Sequence, residues 1–169
     1  MNVALLIARL VLGPGMAAHG SQKLFGWFGG HGLAGTGAFF GQTLGFRPGR
    51  AFAFLAGAGE FGSGLLIALG LLGPIGPALL ILVMTVAALT VHVRNGFFVS
   101  RNGVEVPVIY ATGAFILAYT GPGALSLDGL LGLSRYWTPG LATLAIVVMV
   151  ALGLGNVALR RPPAATPTR

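Results

Sequence analysis

"AFAFLAGAGEFGSGLLIALGLLGPIGPALLILVMTVAALTVHV", residues 51–93, contains one carboxylate, Glu60, and no lysine or arginine. A helix that crosses a bilayer needs about 20 mostly apolar residues to traverse roughly 30 Å of hydrocarbon. This stretch holds two such runs, residues 51–72 and 74–93, separated by "LLGPIGP". Gly73, Pro74 and Pro77 end one helix and begin the next, so the two runs are expected to form a tight antiparallel hairpin.

The same reading extends outward to apolar runs at 3–20, 107–122 and 139–158, giving five expected spans. Composition agrees. Of 169 residues, 55% are hydrophobic and 8% charged, so the chain has too few charges to clothe a water-exposed surface. Mean hydropathy is +0.88. The first run lacks the basic leader and small-residue cleavage site of a secretory signal and is read as a retained helix. The fold class expected is therefore an all-α membrane bundle.

Between the first two spans, "QKLFGWFGGHGLAGTGAFFGQTLGFRPGR" is apolar but too rich in glycine to cross. Its aromatic residues suit the headgroup region, which predicts interfacial or re-entrant half-helices over residues 24–46. "LSLDGLLG" reads as a second short element at the opposite end, where Asp128 is expected to cap a helix or to pair with Arg135 at the surface. The loop "HVRNGFFVSRNGVE" is read as a turn that dips Phe97 and Phe98 into the interface. The tail, 161–169, is basic, proline-rich and expected to be disordered.

The formal charge of +7 does not form a nucleic-acid patch, because the basic residues stand singly or in pairs at the ends of apolar runs. Lys23, Arg47, Arg50, Arg94, Arg101, Arg160, Arg161 and Arg169 fall on one side, and Arg135 on the other. The excess of basic residues on one side predicts an external amino terminus and a cytoplasmic carboxyl terminus.

Chemistry has few candidates. With no cysteine, thiol redox relays, iron–sulfur clusters and cysteine-based zinc sites are excluded. "GHGLAGTG" has no preceding strand and no lysine at the offset a phosphate loop requires. Three histidines and three acids offer neither zinc-type spacing nor a nucleophile triad, and no metal site is expected. Counted from the expected helix ends at Gly20 and Ala51, Arg9 and Glu60 lie at similar depth, which predicts a mid-membrane ion pair. Such a pair reads first as an architectural clamp; snorkelling of Arg9 past a protonated Glu60, or a cavity that binds a headgroup or relays protons, are the other readings. A second cluster, His19, Lys23 and His92, gathers at the cytoplasmic helix ends. Structural capping is its first reading, a quinone or other small ligand the second, and a b-type haem held by His19 and His92 the least favoured.

These pieces, in this order, resemble the DoxX family of small bacterial membrane proteins. The resemblance rests on "RLVLGPGMAAHGSQKL", "GTGAFFGQTLG", "GEFGSGLLIALGLL", "HVRNGFF", "VE" and "TGPGALSLDGLL", across roughly residues 5–132. It implies a four-helix membrane domain over 1–135, followed here by an additional spanning helix at 136–160. By position, Arg9, His19, Lys23, Glu60, His92, Glu105 and Asp128 match the family's polar positions. Some members are associated with thiosulfate:quinone oxidoreductase activity, others with oxidative-stress complexes containing soluble sulfurtransferase and dismutase partners. The resemblance thus implies an integral subunit of an oxidoreductase system, embedded in lipid, binding quinone or lipid and recruiting partners rather than catalysing alone. A proton-coupled transporter and a purely structural subunit of a respiratory or photosynthetic complex remain the open alternatives.

Overall fold

The computed structural model describes residues 1–161, which contain helices and no strand. Helix α1 (Asn2–Leu24) leads into α2 (Gly32–Gln42), and the hairpin follows as α3 (Gly49–Leu69) and α4 (Ile75–Ala87). Then come α5 (Glu105–Thr120), the one-turn α6 (Leu127–Leu130) and α7 (Pro139–Ala158). Beyond Ala87 the α4 rod continues through a π-turn at Ala88–His92 and a 3₁₀ turn at Val93–Asn95. Four of these rods, Asn2–Leu24, Gly49–Leu69, Ile75–Asn95 and Pro139–Ala158, are long and apolar enough to cross a membrane. The chain is thus an all-helical membrane bundle. Helix α5 is shorter at 16 residues, yet it runs from the Lys23 end of the bundle, where Val106 and Pro107 lie, to the Arg9 end, where Leu117 lies. Most of the expected tail, residues 162–169, lies outside the described residues.

Close approach of α1 and α3 organises the bundle. A methyl group at Gly20 would run into the backbone of Phe61 and Gly57, and one at Gly64 would stand 2.5 Å from the Ala17 nitrogen. Small residues at helical spacing on both rods therefore let two backbones touch, which is how apolar helices gain packing energy where lipid offers no hydrophobic drive. One core gathers Leu5, Met16, Ile67, Leu80, Met84 and Leu117.

The segment expected to be interfacial is only partly so. Trp27, Phe28 and Phe39 are exposed, but Phe40, Leu44 and Phe46 are buried with Ala53 in a second core. Phe46 stacks on Phe52 at a centroid distance of 4.9 Å. Helix α2 packs on the first turns of α3, with Gly37 and Gly41 against Gly49 and Arg50. This docking overturns the depth argument for Arg9 and Glu60. The first turns of α3 lie beside α2 rather than α1, and α1 itself runs on to Leu24. Gly20 faces Phe61, so Glu60 stands level with Gly20, eleven residues or about 16 Å from Arg9 along α1.

Candidate functional site

Glu60 pairs with Lys23, not with Arg9. The Lys23 ammonium donates to both carboxylate oxygens of Glu60, at 2.8 Å to Oε1 and 2.6 Å to Oε2. The carboxylate is 7% exposed and the lysine side chain 27%, so the acid is the buried partner and the base its link to a wetter region. A carboxylate removed from water needs such a partner, and a bidentate ammonium contact at the end of α1 supplies it.

The pair lies on the wall of a cavity of about 580 Å³ between α1, α2, α3 and α4, closed by the 99–107 segment and by Asn156 of α7. Its lining is mostly apolar, with Met16, Phe39, Phe40, Phe52, Leu55 and Val83 among the contributors. Leu55 and Phe39 also belong to the exposed apolar surface, so the cavity borders the lipid-facing side of the bundle. His19, His31 and His92 all line it. His92 bonds through Nδ1 to the Asn102 carbonyl at 2.8 Å. A carbonyl only accepts, so Nδ1 is the donor in this contact. His19 meets Tyr110 edge to face at 6.5 Å.

The structure therefore merges two groups that were expected apart. His19, Lys23 and His92 share one cavity with Glu60, while Arg9 belongs to the other end of the bundle. There the Arg9 side chain donates to the Leu125 carbonyl and lies against Gly70; its Nε and Nη1 atoms are buried without a partner among the described residues. Asp128, fully buried, neither caps the short helix nor pairs with Arg135. Its Oδ1 accepts from Leu72 N–H at 3.0 Å, and its Oδ2 from Gly73 N–H at 2.6 Å and the Trp137 indole at 2.7 Å. It thereby ties the segment before α7 to the α3–α4 turn. Ser126 caps α6 instead, and Arg135 lies over the Tyr136 ring. Glu105 accepts from Val99 N–H at 2.7 Å and staples the 99–107 segment that closes the cavity, without itself lining it.

Sequence reasoning covered His31 only as part of the interfacial 24–46 segment and passed over Asn156 and the π-turn that carries Thr90 and His92 to the cavity. The π-turn had no sequence signal. A single widened turn shifts the register of the residues after it, and such turns recur where a side chain must be re-aimed.

The family model described as DoxX matches residues 4–93, more than half of the chain, from the first turn of α1 through the end of α4. No curated protein and no solved structure matches it.

Proposed function

The chain belongs to the DoxX family, and from that membership and the chemistry of its cavity we propose that it is an integral subunit of a membrane oxidoreductase system that holds a quinone-class amphiphile beside the Lys23–Glu60 pair. The observation that carries the reading is one cavity combining an apolar wall at the lipid border with a buried ion pair and three imidazoles. Sites for drug-sized ligands have this character and span about 300–1,000 Å³.

The donor set fits a quinone. Its carbonyl oxygens are acceptors, and the Lys23 ammonium has three N–H donors, of which the two Glu60 oxygens engage two. Met16, Phe40 and Phe52 offer apolar surface to the ring, and the border at Phe39 and Leu55 accommodates a tail. A bound quinone supplies a two-electron, two-proton acceptor. The chain's own residues bind and orient it, exclude water through the aromatic wall, and place exchangeable protons at Lys Nζ and at imidazole nitrogens. No thiol is available in this chain, so sulfur chemistry on a protein cysteine belongs to a partner.

The test is a quinone assay on the protein purified in mild detergent, by mass spectrometry of the extracted lipids. Wild-type protein is expected to retain quinone near stoichiometrically, and Lys23→Met to retain much less. A preparation that carries only phospholipid, and gains no quinone when reconstituted in quinone-loaded vesicles, would sink the proposal. Proton-gradient-driven uptake by such vesicles, lost on Glu60→Gln, would favour the transporter reading instead.

A further inference from the structure

Helix α7 lies beyond the family match, which ends at residue 93, yet it reaches the cavity. It packs on α4 and α5, and its contact with α4 is close: a methyl at Gly153 would stand 3.3 Å from the Leu82 carbonyl oxygen and 3.5 Å from Thr85. One turn later on the same face comes Asn156, the residue α7 contributes to the cavity wall. Just past the helix, Arg161 N–H donates to the Gly45 carbonyl at 2.8 Å and fastens this end of α7 to the turn before α3.

Asn156 is anomalous for its surroundings. From Leu144 to Ala158 the helix is otherwise built of Ala, Gly, Val, Leu, Ile and Met. The α7 side-chain hydrogen bonds among the described residues are made by Thr138 at its cap and by Thr143; the Asn156 amide makes none. A carboxamide needs partners for two N–H donors and a carbonyl when water is scarce. The residue is half-buried in the last turn of α7, so water can serve its amide in the cavity, and a polar ligand entering there would take that water's place.

We infer that Asn156 is a ligand-positioning residue, a second hydrogen-bonding pole of the cavity carried by a different helix pair from Lys23 and Glu60, which donates its amide N–H to a carbonyl-type oxygen of the bound amphiphile. The inference rests on the quinone-class reading and sharpens it. A quinone ring carries two carbonyl oxygens on opposite edges, and two poles on separate helices fix its orientation where one would leave it free to pivot. The α7 extension thus becomes part of the site rather than an outlying anchor.

The experiment compares two probes on the full chain in detergent: decylubiquinone, and decylbenzene as a tail of equal length without carbonyls. Asn156→Leu is expected to weaken decylubiquinone binding by about three- to tenfold, the worth of one neutral hydrogen bond. Decylbenzene binding should be unchanged, and Asn156→Gln should restore part of the loss. Unchanged affinity of Asn156→Leu for both probes overturns the inference and leaves the cavity reading standing. Equal weakening for both probes shows a packing role and also overturns it. If the wild-type protein binds no decylubiquinone at all, the cavity reading fails and this inference with it.

Discussion

Lys23 and Glu60 illustrate how one residue's burial decides another's role. Removing Lys23 leaves an acid that is 7% exposed without its counter-charge, and breaking a buried pair from one side costs several kcal/mol. Because Lys23 itself keeps 27% exposure, Lys23→Ala should destabilise by about 3 kcal/mol, the low end of that range. The double variant Lys23→Met with Glu60→Leu should recover most of the loss, since it leaves no orphaned charge. Thermal melts of wild type, Lys23→Met, Glu60→Leu and the double variant in detergent form the cycle, and additive losses would show that the two side chains do not interact. Asp128 makes a parallel case with backbone partners. Asp128→Ala strands two N–H groups of the α3–α4 turn and the Trp137 indole, and each stranded buried donor costs about 1–3 kcal/mol. A melting loss of at least about 3 kcal/mol is expected, with a shift in Trp137 fluorescence as its N–H loses the carboxylate. A variant that melts like wild type would mean that water replaces the acid. Sequence alone identified Glu60 as out of place in an apolar chain, because rarity is visible in composition, whereas Asp128 read as a helix cap or a surface pair with Arg135. The partners of both acids were not legible, because Lys23 was grouped with His19 and His92 at the cytoplasmic helix ends and the donors to Asp128 are mostly backbone.

The element that positions both ends is the α1–α3 crossing, and its glycines are not equivalent. Gly20→Val pushes a branched side chain into the backbone of Phe61 and Gly57, and overpacking of this kind costs about 1–3 kcal/mol. It should also part the helices where Lys23 reaches Glu60, so loss of quinone retention should accompany the loss of melting temperature. Gly62 faces open space, and Gly62→Ala should instead gain about 0.5–1 kcal/mol through reduced backbone entropy in the unfolded chain. A Gly20→Val variant that melts no lower than wild type would show that the crossing is not the close contact described. The existence of the helices was legible in hydropathy, and α7 begins and ends where its apolar run does, at 139 and 158. Register was not legible. It depends on which small-residue faces meet and on how far α1 runs past Gly20, and the four extra residues to Leu24 are what bring Lys23 into the bundle. The buried phenylalanines of 40–46 were misread for the same reason: aromatic residues in a glycine-rich segment suit a headgroup layer and a small core equally well, and only the docking of α2 on α3 distinguishes them.

Across the whole molecule, charge divides by end. Lys23, Arg47, Arg50, Arg94, Arg101 and Arg161 gather at or beyond the cavity end of the rods, whereas Arg9 and Arg135 belong to the end where Asp128 ties the loops. Helix α1 starts at that second end and α7 finishes at the cavity end, near Gly45, so the described chain traverses the bundle an odd number of times. Basic residues favour the cytoplasmic side of a membrane, and the insertion we propose therefore places the cavity end in the cytoplasm and Arg135 outside. Soluble partners of the proposed oxidoreductase system would then meet the protein beside its cavity, and reducing equivalents delivered there would reach a bound quinone without crossing the bilayer. The absence of cysteine makes the topology directly measurable. Ser100 and Ser134 are exposed in short 3₁₀ turns, Val99–Arg101 and Leu133–Tyr136, at opposite ends, so Ser100→Cys and Ser134→Cys each introduce a single thiol. An impermeant maleimide applied to intact spheroplasts should label Ser134→Cys at once and Ser100→Cys only after the membrane is opened. The reverse pattern would put the cavity on the external face, and any electron donor would then have to act from outside the cell.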